Sequence, residues 1–412
     1  MTDTKAEPGR GGLEYTALNP AYSADPDAPL SELRNTLPVF RDNVFGSFFL
    51  TRHDDIRALL ADRTLLKDPK KAEPDAFIMK FLQSEPEGTK YPAESGTILM
   101  MDDPGHARVR TPLTKAFYKR VAASRPIVED VVERILSGLD GRKRFDAMAE
   151  FCIPVPIDVI ARILGADQSM LESFRAWSVD SFEFFNFART PEQTERMITA
   201  NNNLYGYIDE LMQRRRKEPQ DDLISDMMVA QAEGTPINDG EIRENCAGLL
   251  AAGNLTTTDL IGNGLWLLHT HPAEKRKLLA DPGLIGNAIE EILRYEPPVE
   301  VTARIAARDM EIRGCPIKHS QVITPSLRGA NRDPEAFEEP NRFDIARKRV
   351  PHVSFGGGSH ICIGAPLARM EAQVAIPAFL RHFPDAALED ETPRWRTLPS
   401  FRGLSRIDML VD

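Results

Sequence analysis

The 412-residue chain has only four cysteines, and no two of them form a Cys-x-x-Cys pair. This scarcity argues against a disulfide framework or a zinc knuckle and is typical of a reducing compartment. No apolar run approaches the roughly 18–20 residues that span a bilayer, and the first residues lack the basic and apolar segments of a secretory signal. We therefore expect a cytoplasmic protein that is not attached to a membrane.

Basic residues are fewer than acidic ones: the chain has 51 Lys and Arg and 62 Asp and Glu, which gives a net charge of -11. An acidic surface repels phosphate backbones, so general binding to nucleic acid is not expected. The glycine fingerprints of phosphate loops and of dinucleotide-binding βαβ units are missing as well, which argues against a nicotinamide dehydrogenase.

Hydrophobic periodicity predicts a mainly α-helical protein with a small β region. The polar residues 1–15 are predicted to form a flexible arm, and residues 16–412 a single domain, since no repeat or low-complexity linker interrupts them. The longest helical pattern covers residues 242–268, enough to cross a whole domain. Short strands are predicted after Pro297, at residues 299–307, 310–312 and 321–324, and a last helix starts near Ile363.

The most informative segment is the glycine-rich loop Phe355-Gly-Gly-Gly-Ser-His-Ile-Cys-Ile-Gly364, which precedes that last helix. Its glycines allow the backbone to approach a flat, bulky group closely. Amide groups and the helix dipole beside Cys362 favour its thiolate, which can be a nucleophile, a redox thiol or a metal ligand. For an isolated cysteine, a buried structural role is the alternative.

Three weaker features accompany the loop. Glu291 and Arg294 stand at i and i+3 on one predicted helix, a spacing that is also common for solvent-exposed ion pairs on helix surfaces. His106 and Arg110 stand at i and i+4 and could together bind one carboxylate. The alternative is that they lie on a solvent-exposed face of the helix. Residues 252–258 place glycine and three threonines inside the long helix, which predicts a distorted turn facing a cavity.

Taken in order, these motifs resemble those of the cytochrome P-450 superfamily of haem-thiolate monooxygenases, especially the soluble bacterial type. The resemblance covers essentially the whole chain. The loop matches the haem-binding pattern Phe-Gly-x-Gly-x-His-x-Cys-x-Gly, and Glu291-x-x-Arg294 matches the buried helix pair of the family. Asn331-Arg-Asp-Pro and Asn341-Arg-Phe-Asp match the segment before the loop. The resemblance implies the cytochrome P-450 fold, with a long central helix over a buried haem b.

By this resemblance, Cys362 is the axial ligand of the haem iron, and Glu291 and Arg294 are a structural pair rather than catalytic residues. Cationic groups that match those holding the haem propionates are His106, Arg110, Arg304 and His360. The remaining residues expected to contact the haem are Ile98, Leu99, Ala252, Gly253, Phe355, Gly356, Ile363, Gly364 and Ala368.

The oxygen-activating threonine of the family matches Thr256, with Ala252 and Gly253 forming the groove beside it. The family usually has Asp or Glu before this threonine, whereas this chain has Leu255. We therefore consider a displaced proton relay, supported by Asp259 or Asn254. The alternative is that Asp259 only pairs with a neighbouring base.

Substrate contacts are expected at positions that line the pocket in the family: Phe182, Phe185, Ala251, Val299, Glu300, Val301 and Phe401. The phenylalanines indicate a largely apolar pocket, with aromatic core packing as the alternative. Glu300 is a charged residue at a position expected to line an apolar pocket, which is unusual. It is either a handle for the substrate or a solvated or salt-bridged side chain.

These features predict a monooxygenase that inserts one atom of O2 into a small or medium, largely apolar organic molecule. No flavin domain or iron–sulfur cysteine spacing is present, so electrons are expected from a separate ferredoxin and its NAD(P)H-dependent reductase. An acidic donor is expected to dock on a basic patch formed by Arg108, Lys115, Lys119 and Arg120. The alternatives are a peroxide-using haem-thiolate enzyme and a non-catalytic haem-binding sensor.

Overall fold

The structure, a computed structural model, describes residues 12–74, 76–82, 88–91 and 96–411. Its α-helices, in chain order, are α1 (Pro20–Ala24), α2 (Asp27–Thr36), α3 (His53–Ala61), α4 (Phe77–Leu82), α5 (Gly105–Ala123), α6 (Arg125–Ser137), α7 (Pro154–Leu164), α8 (Leu171–Ser181), α9 (Pro191–Lys217), α10 (Leu223–Ala232), α11 (Asp239–Thr270), α12 (Pro272–Ala280), α13 (Ile285–Tyr295), α14 (Leu327–Asn331) and α15 (Ala365–His382). Its strands are β1 (Val39–Arg41), β2 (Phe48–Leu50), β3 (Arg144–Asp146), β4 (Arg304–Ile305), β5 (Met310–Ile312), β6 (Cys315–Ile317), β7 (Val322–Pro325), β8 (Ala387–Leu388), β9 (Arg394–Trp395), β10 (Leu404–Arg406) and β11 (Asp408–Leu410).

Packing divides the chain into two compact units, each assembled from separate stretches of sequence. The first unit contains Met1–Glu85, Glu290–Cys362 and Trp395–Arg402, and the second contains Pro86–Ile289, Ile363–Arg394 and Gly403–Asp412. The single-domain organisation of residues 16–412 stays a prediction.

The predicted arm at residues 1–15 falls mostly on residues 1–11, which lie outside the described residues. Residues Gly12–Tyr15 form a 3-10 helix, and the ring of Tyr15 is buried against Phe40 and Phe49. Tyr15, the last residue of the predicted arm, belongs to a hydrophobic cluster of the first unit, and the arm itself stays a prediction.

The first unit is built around a four-stranded sheet in the order β1-β2-β7-β4, in which only β2 and β7 are parallel. The predicted strand 299–307 shrinks to β4, preceded by isolated bridges at Val299 and Val301. Val299 pairs with Phe401, whereas Val301 pairs with Ser326. Val301 continues the antiparallel register of β4 with β7, whereas Val299 pairs with a different stretch, so the segment does not form one continuous ladder.

The second unit is organised around α11, which packs against α7, α8, α9 and α15. Helix α11 starts at a capping box, in which Asn238 accepts from the Glu241 amide and Glu241 accepts from the Asn238 amide. The helix runs for 32 residues without interruption, so the distorted turn predicted at residues 252–258 is wrong. Within the described ranges, no helix is both long and apolar enough to cross a membrane.

Candidate active site

The cysteine loop of the first unit is a tight turn that only glycine can complete. The Cys362 amide donates to the Phe355 carbonyl at 2.9 Å. Gly356 and Gly358 have φ of 70° and 65°, in the left-handed region that side chains disfavour. A Cβ atom at Gly358 would lie 2.2 Å from the Leu60 carbonyl oxygen of α3. The loop is therefore packed directly on the backbone of α3.

Cys362 differs from the other three cysteines in its surroundings, because its side chain is exposed. Burial raises the pKa of the Cys152 thiol well above its usual value, and it raises the pKa of Cys246 to about 12. Burial also raises the pKa of Cys315. Cys362 is therefore the one exposed thiol among the four cysteines, all of which lie within the described residues.

His106 and Arg110 lie one turn apart near the start of α5, in the second unit. Asp103 lies just before this helix, and its carboxylate accepts from the Ala107 amide at 3.0 Å. The His106 imidazole is buried, with Nδ1 3.4 Å from Asp103 Oδ1. Burial and then the charge of Arg110 lower the pKa of His106. A buried imidazole and a guanidinium therefore lie one helical turn apart at the start of α5.

Ile98 and Leu99 lie in the segment that precedes α5. The Ile98 amide donates to Asn245 Oδ1 of α11 at 2.9 Å. The Ile98 side chain is half-buried, and Leu99 is among the exposed large apolar residues.

Arg304 of β4, in the first unit, is a buried cation that bonds to a carbonyl group. Its side chain is 4% exposed, and its Nη1 donates to the Ala303 carbonyl at 2.9 Å. Burial lowers the pKa of the guanidinium to about 10. Among the described residues, no carboxylate lies within ion-pair distance of it. A buried charge of this kind needs an anion, and a carboxylate suits a guanidinium.

The most open face of the middle of α11 carries Ala252, Gly253 and Thr256. Ala252 is exposed, and the other two are half-buried. The Thr256 hydroxyl donates to the Ala252 carbonyl one turn earlier, at 3.0 Å. Small residues and a hydroxyl therefore line this stretch of the helix.

The two candidates for a displaced relay lie elsewhere on α11. Asn254 is buried and accepts from the Thr258 hydroxyl at 3.5 Å, and residues two positions apart on a helix do not face each other. The side chain of Asn254 therefore points away from Thr256, and its part in a relay through water stays a prediction. Asp259 is fully buried, and a Cβ atom at Gly403 would lie 1.9 Å from its Oδ1. This close packing favours the structural alternative for Asp259.

Glu291 and Arg294 form a fully buried, bidentate pair on α13. Arg294 Nε donates to Glu291 Oε2 at 2.7 Å, and Nη2 donates to Oε1 at 2.8 Å. The remaining guanidinium protons reach three backbone carbonyls, those of Asn331, Pro340 and Arg342. The pair therefore fixes the loop that leads to the cysteine turn.

Glu300 belongs to a buried cluster of charges that sequence reasoning missed. The cluster contains three carboxylates and three guanidinium groups, of which Asp27 is half-buried and the others are buried: Asp27, Glu296, Glu300, Arg328, Arg332 and Arg402. Arg328 bonds to both Asp27 and Glu296, and Arg402 bonds to Glu296 at 2.9 Å. The Glu300 carboxylate lies 3.8 Å from Arg328, and burial raises its pKa.

This placement corrects the assignment of Glu300 as a substrate handle and favours the salt-bridged alternative. Its side chain is 2% exposed and faces the cluster. No local pattern could reveal this cluster, because Arg328 and Asp27 are 301 residues apart in sequence.

The other predicted contacts are spread over both units. In the first unit, Val299 and Phe401 are bridge partners, Val301 is half-buried, and His360 ends a 3-10 helix. In the second unit, Phe182 and Phe185 have ring centroids 5.6 Å apart, and Ala251 is buried. Gly364 accepts from the Ala368 amide at 2.9 Å as α15 begins, and Ile363 is buried just before it.

Comparison with known proteins matches residues 76–282 and 283–404 to the family described as Cytochrome P450. The chain is 35% identical over 403 residues to Cytochrome P450 107B1 of Saccharopolyspora erythraea, covering 96% of this chain and 97% of that protein. It is 34% identical to the 6-deoxyerythronolide B hydroxylase of the same organism, covering 93% and 94%. A crystal structure of a myxobacterial cytochrome P450, CYP267B1 in complex with myristic acid, matches with TM-score 0.88 and 32% identity, covering 97% and 99%.

The chain belongs to the cytochrome P450 family. It has the cytochrome P450 fold, binds haem b, and is a monooxygenase for small to medium organic substrates that needs redox partners. The comparisons support this function over the peroxide-using and sensor alternatives.

The residues present fit a haem. Its iron needs one soft axial ligand, and Cys362 is the exposed thiol on a loop where Cβ atoms are excluded. Its propionates need cations, and Arg304 is a buried guanidinium without a carboxylate partner among the described residues.

Proposed function

We propose that Cys362 is the axial ligand of the haem iron and that His106, Arg110, Arg304 and His360 hold its propionates. The observation that carries this proposal is the exposure of Cys362 in a loop closed by left-handed glycines. A thiolate-ligated haem, when bound, supplies the dioxygen activation that a monooxygenase requires. The reduced, CO-bound protein is expected to show the red-shifted Soret band of thiolate ligation, and a histidine-type band would contradict the assignment.

Thr256 is the α11 residue whose hydroxyl would hold a proton beside the place where a bound haem would activate dioxygen. Its hydroxyl lies on the open face with Ala252 and Gly253. These two residues are small enough to leave room for a small molecule. Leu255 is 4% exposed and cannot transfer a proton, and Asp259 is packed against Gly403. A hydroxyl needs a proton source behind it, and water on the open face is the source that this geometry supports.

Replacing Thr256 with alanine is expected to lower the product formed per NADH several-fold, because the open face then loses its hydroxyl. The measurement compares product with NADH consumed in the reconstituted system. Thr257→Ala is the matched control, since this neighbouring threonine is buried and its loss is expected to leave the ratio unchanged. Asp259→Asn is expected to reduce stability but not the ratio. If Asp259→Asn lowered the ratio and Thr256→Ala did not, the relay would belong to Asp259.

The electron donor is a separate ferredoxin, reduced by an NAD(P)H-dependent reductase, and the protein works in the cytoplasm. The four cysteines, all within the described ranges, form no disulfide, which suits a reducing compartment. The basic patch predicted for docking is largely neutralised by the chain itself. Arg108 bonds to Glu241, and Lys119 and Arg120 both bond to Asp226. Lys115 is the exposed patch residue for which the described residues offer no ion pair.

The purified holoprotein is expected to consume neither NADH nor NADPH by itself, because the sequence contains no dinucleotide fingerprint. Adding a ferredoxin together with its reductase is expected to start turnover, and omitting either one is expected to stop it. Product formation in each mixture is the measurement. Sustained turnover with the holoprotein and a nicotinamide alone would refute the requirement for a separate donor.

The substrate is largely apolar. Phe182 and Phe185 pack against each other. The rings of Phe184 and Phe185 are in an edge-to-face contact, with their centroids 5.2 Å apart. Phe184 and Phe185 are only half-buried, so these rings retain area for an apolar ligand. The likeness to a structure holding myristic acid supports the same chemistry. Spectral titration of the ferric protein with apolar acids, esters and macrocycles tests it.

A further inference from the structure

His352 makes two side-chain hydrogen bonds just before the cysteine loop. Its Nδ1 accepts from the Ser354 amide at 3.1 Å, and its Nε2 lies 3.0 Å from Oε2 of Glu290 on α13. The centroids of its ring and of the Phe355 ring are 5.9 Å apart, and the imidazole is only 3% exposed. The imidazole therefore connects α13 to the residues that enter the cysteine loop.

The partners of this imidazole determine which nitrogen carries the proton. A backbone N–H can only donate, so Nδ1 of His352 is the nitrogen without a proton. The proton is therefore on Nε2, where it is donated to the carboxyl group of Glu290. A carboxyl group bonded to one ring nitrogen fixes the tautomer in which the other nitrogen accepts. Glu290 thus keeps His352 in the form that can hold the Ser354 amide.

Ser354 is a junction between α13, α14 and the segment that enters the loop. Its hydroxyl donates to the Leu293 carbonyl of α13 at 2.7 Å and accepts from the Asn331 side-chain amide of α14 at 2.8 Å. Because Ser354 is buried, its backbone amide needs an acceptor inside the protein. His352 supplies this acceptor.

The amide bond of the cysteine depends on the residue that follows Ser354. The Phe355 carbonyl accepts from the Cys362 amide at 2.9 Å, and the Gly356 amide donates to the Val353 carbonyl at 2.8 Å. Peptide units are planar and rigid, so a rotation of the backbone at Ser354 displaces the Phe355 carbonyl. The acceptor on His352 therefore acts on the cysteine loop through the backbone.

We propose that His352 is a positioning residue for the Cys362 ligand. By accepting from the Ser354 amide, it holds the Phe355 carbonyl where this carbonyl receives the Cys362 amide. Glu290 sets the tautomer that makes this possible. The inference rests on the proposed thiolate ligation and adds two residues to it. It assigns the effect to the acceptor nitrogen of the ring and not to the packing of the ring.

Two substitutions of His352 separate its nitrogens. His352→Asn places an amide oxygen near the position of Nδ1, and asparagine side chains accept from the backbone amide two residues further on. His352→Gln places its amide group near the position of Nε2 and leaves the Ser354 amide without this acceptor. The measurement is the rate at which the reduced, CO-bound holoprotein loses its thiolate band in dilute urea.

His352→Gln is expected to lose the thiolate band about fivefold faster than the wild type, the effect of one hydrogen bond. His352→Asn is expected to restore the wild-type rate. Glu290→Ala is expected to speed the loss about threefold when His352 is present, because the ring then also adopts the other tautomer. In the His352→Asn background, Glu290→Ala is expected to have no effect, since asparagine has no tautomer to fix.

His382→Gln is the matched control. His382 also places Nε2 near a carboxylate, 2.7 Å from Asp140, and its ring contacts Phe383 with centroids 4.6 Å apart, but it lies in the second unit. This variant is expected to keep the wild-type rate. The urea midpoints of all these proteins are measured alongside, and those of the His352 variants are expected to stay close to the wild type.

The proposal is overturned if His352→Gln keeps the wild-type rate. It is also overturned if His352→Asn loses the band as fast as His352→Gln, because the ring and not its acceptor nitrogen would then matter. A urea midpoint that falls in step with the rate would equally overturn it, since general stability would explain both. Failure of the thiolate ligation itself is seen separately, as absence of the thiolate band in the wild type.

Discussion

Replacing Cys362 with alanine is expected to abolish normal haem ligation, with loss of the red-shifted CO band and of nearly all bound haem. No other thiol can take its place, because Cys152 and Cys246 are fully buried and Cys315 is half-buried with a raised pKa. The cysteine turn itself is expected to persist, since the Cys362 amide bond to Phe355 is a backbone bond. Haem content and the reduced CO spectrum of the purified variant are the measurements.

Cys315→Ala is the matched control for this variant, because Cys315 also lies in the first unit. It is expected to keep full haem content and the thiolate band. If Cys362→Ala retained the thiolate band, Cys362 could not be the ligand. If both variants lost haem equally, the loss would reflect stability and not ligation.

Replacing Glu291 with alanine is expected to cause a severe loss of folding stability. Arg294 would remain fully buried without its counter-ion, which costs about 3–5 kcal/mol for a buried pair. That cost is a large part of the roughly 5–15 kcal/mol by which folded proteins are stable. We expect little soluble protein at 37 °C, and a strongly lowered urea midpoint for whatever is recovered.

Glu339→Ala provides an unusually close control, because Glu339 and Arg342 also pair at i and i+3, but on the surface. An exposed ion pair contributes about 0–1 kcal/mol, so this variant is expected to unfold close to the wild type. The two variants remove the same chemical group at the same spacing and differ in burial. Equal urea midpoints would contradict the role assigned to Glu291.

Sequence reasoning succeeds where a local rule decides the outcome. The ends of α11 are predicted within three residues, because its periodic pattern is long. Glu291 and Arg294 can be named from their spacing on one helix face. Cys362 stands out because a glycine loop before a helix is a strong pattern, and the family resemblance then supplies its role.

Sequence reasoning fails where distant segments meet. Alternation along a strand places Glu300 on the cavity face with Arg304, but the segment is a pair of isolated bridges and not a strand. Glu300 instead turns toward Arg328. Asn254 is suggested as a relay residue because it is adjacent to Leu255 in sequence. On a helix, however, the side chains of adjacent residues point in different directions.

The buried charge cluster also has a consequence for how the chain matures during synthesis. Arg402 donates to Glu296 and to the carbonyl of Ser23, and its amide donates to Pro298. Until the ribosome has released residue 402, Glu296 lacks one of its two guanidinium partners, and the segment beside Pro298 lacks its backbone neighbour. The first unit therefore completes its charge cluster only after residue 402 has left the ribosome, although its opening residues emerge first. Released chains that end at residue 394 should be more sensitive to protease in this unit than released chains that include residue 402.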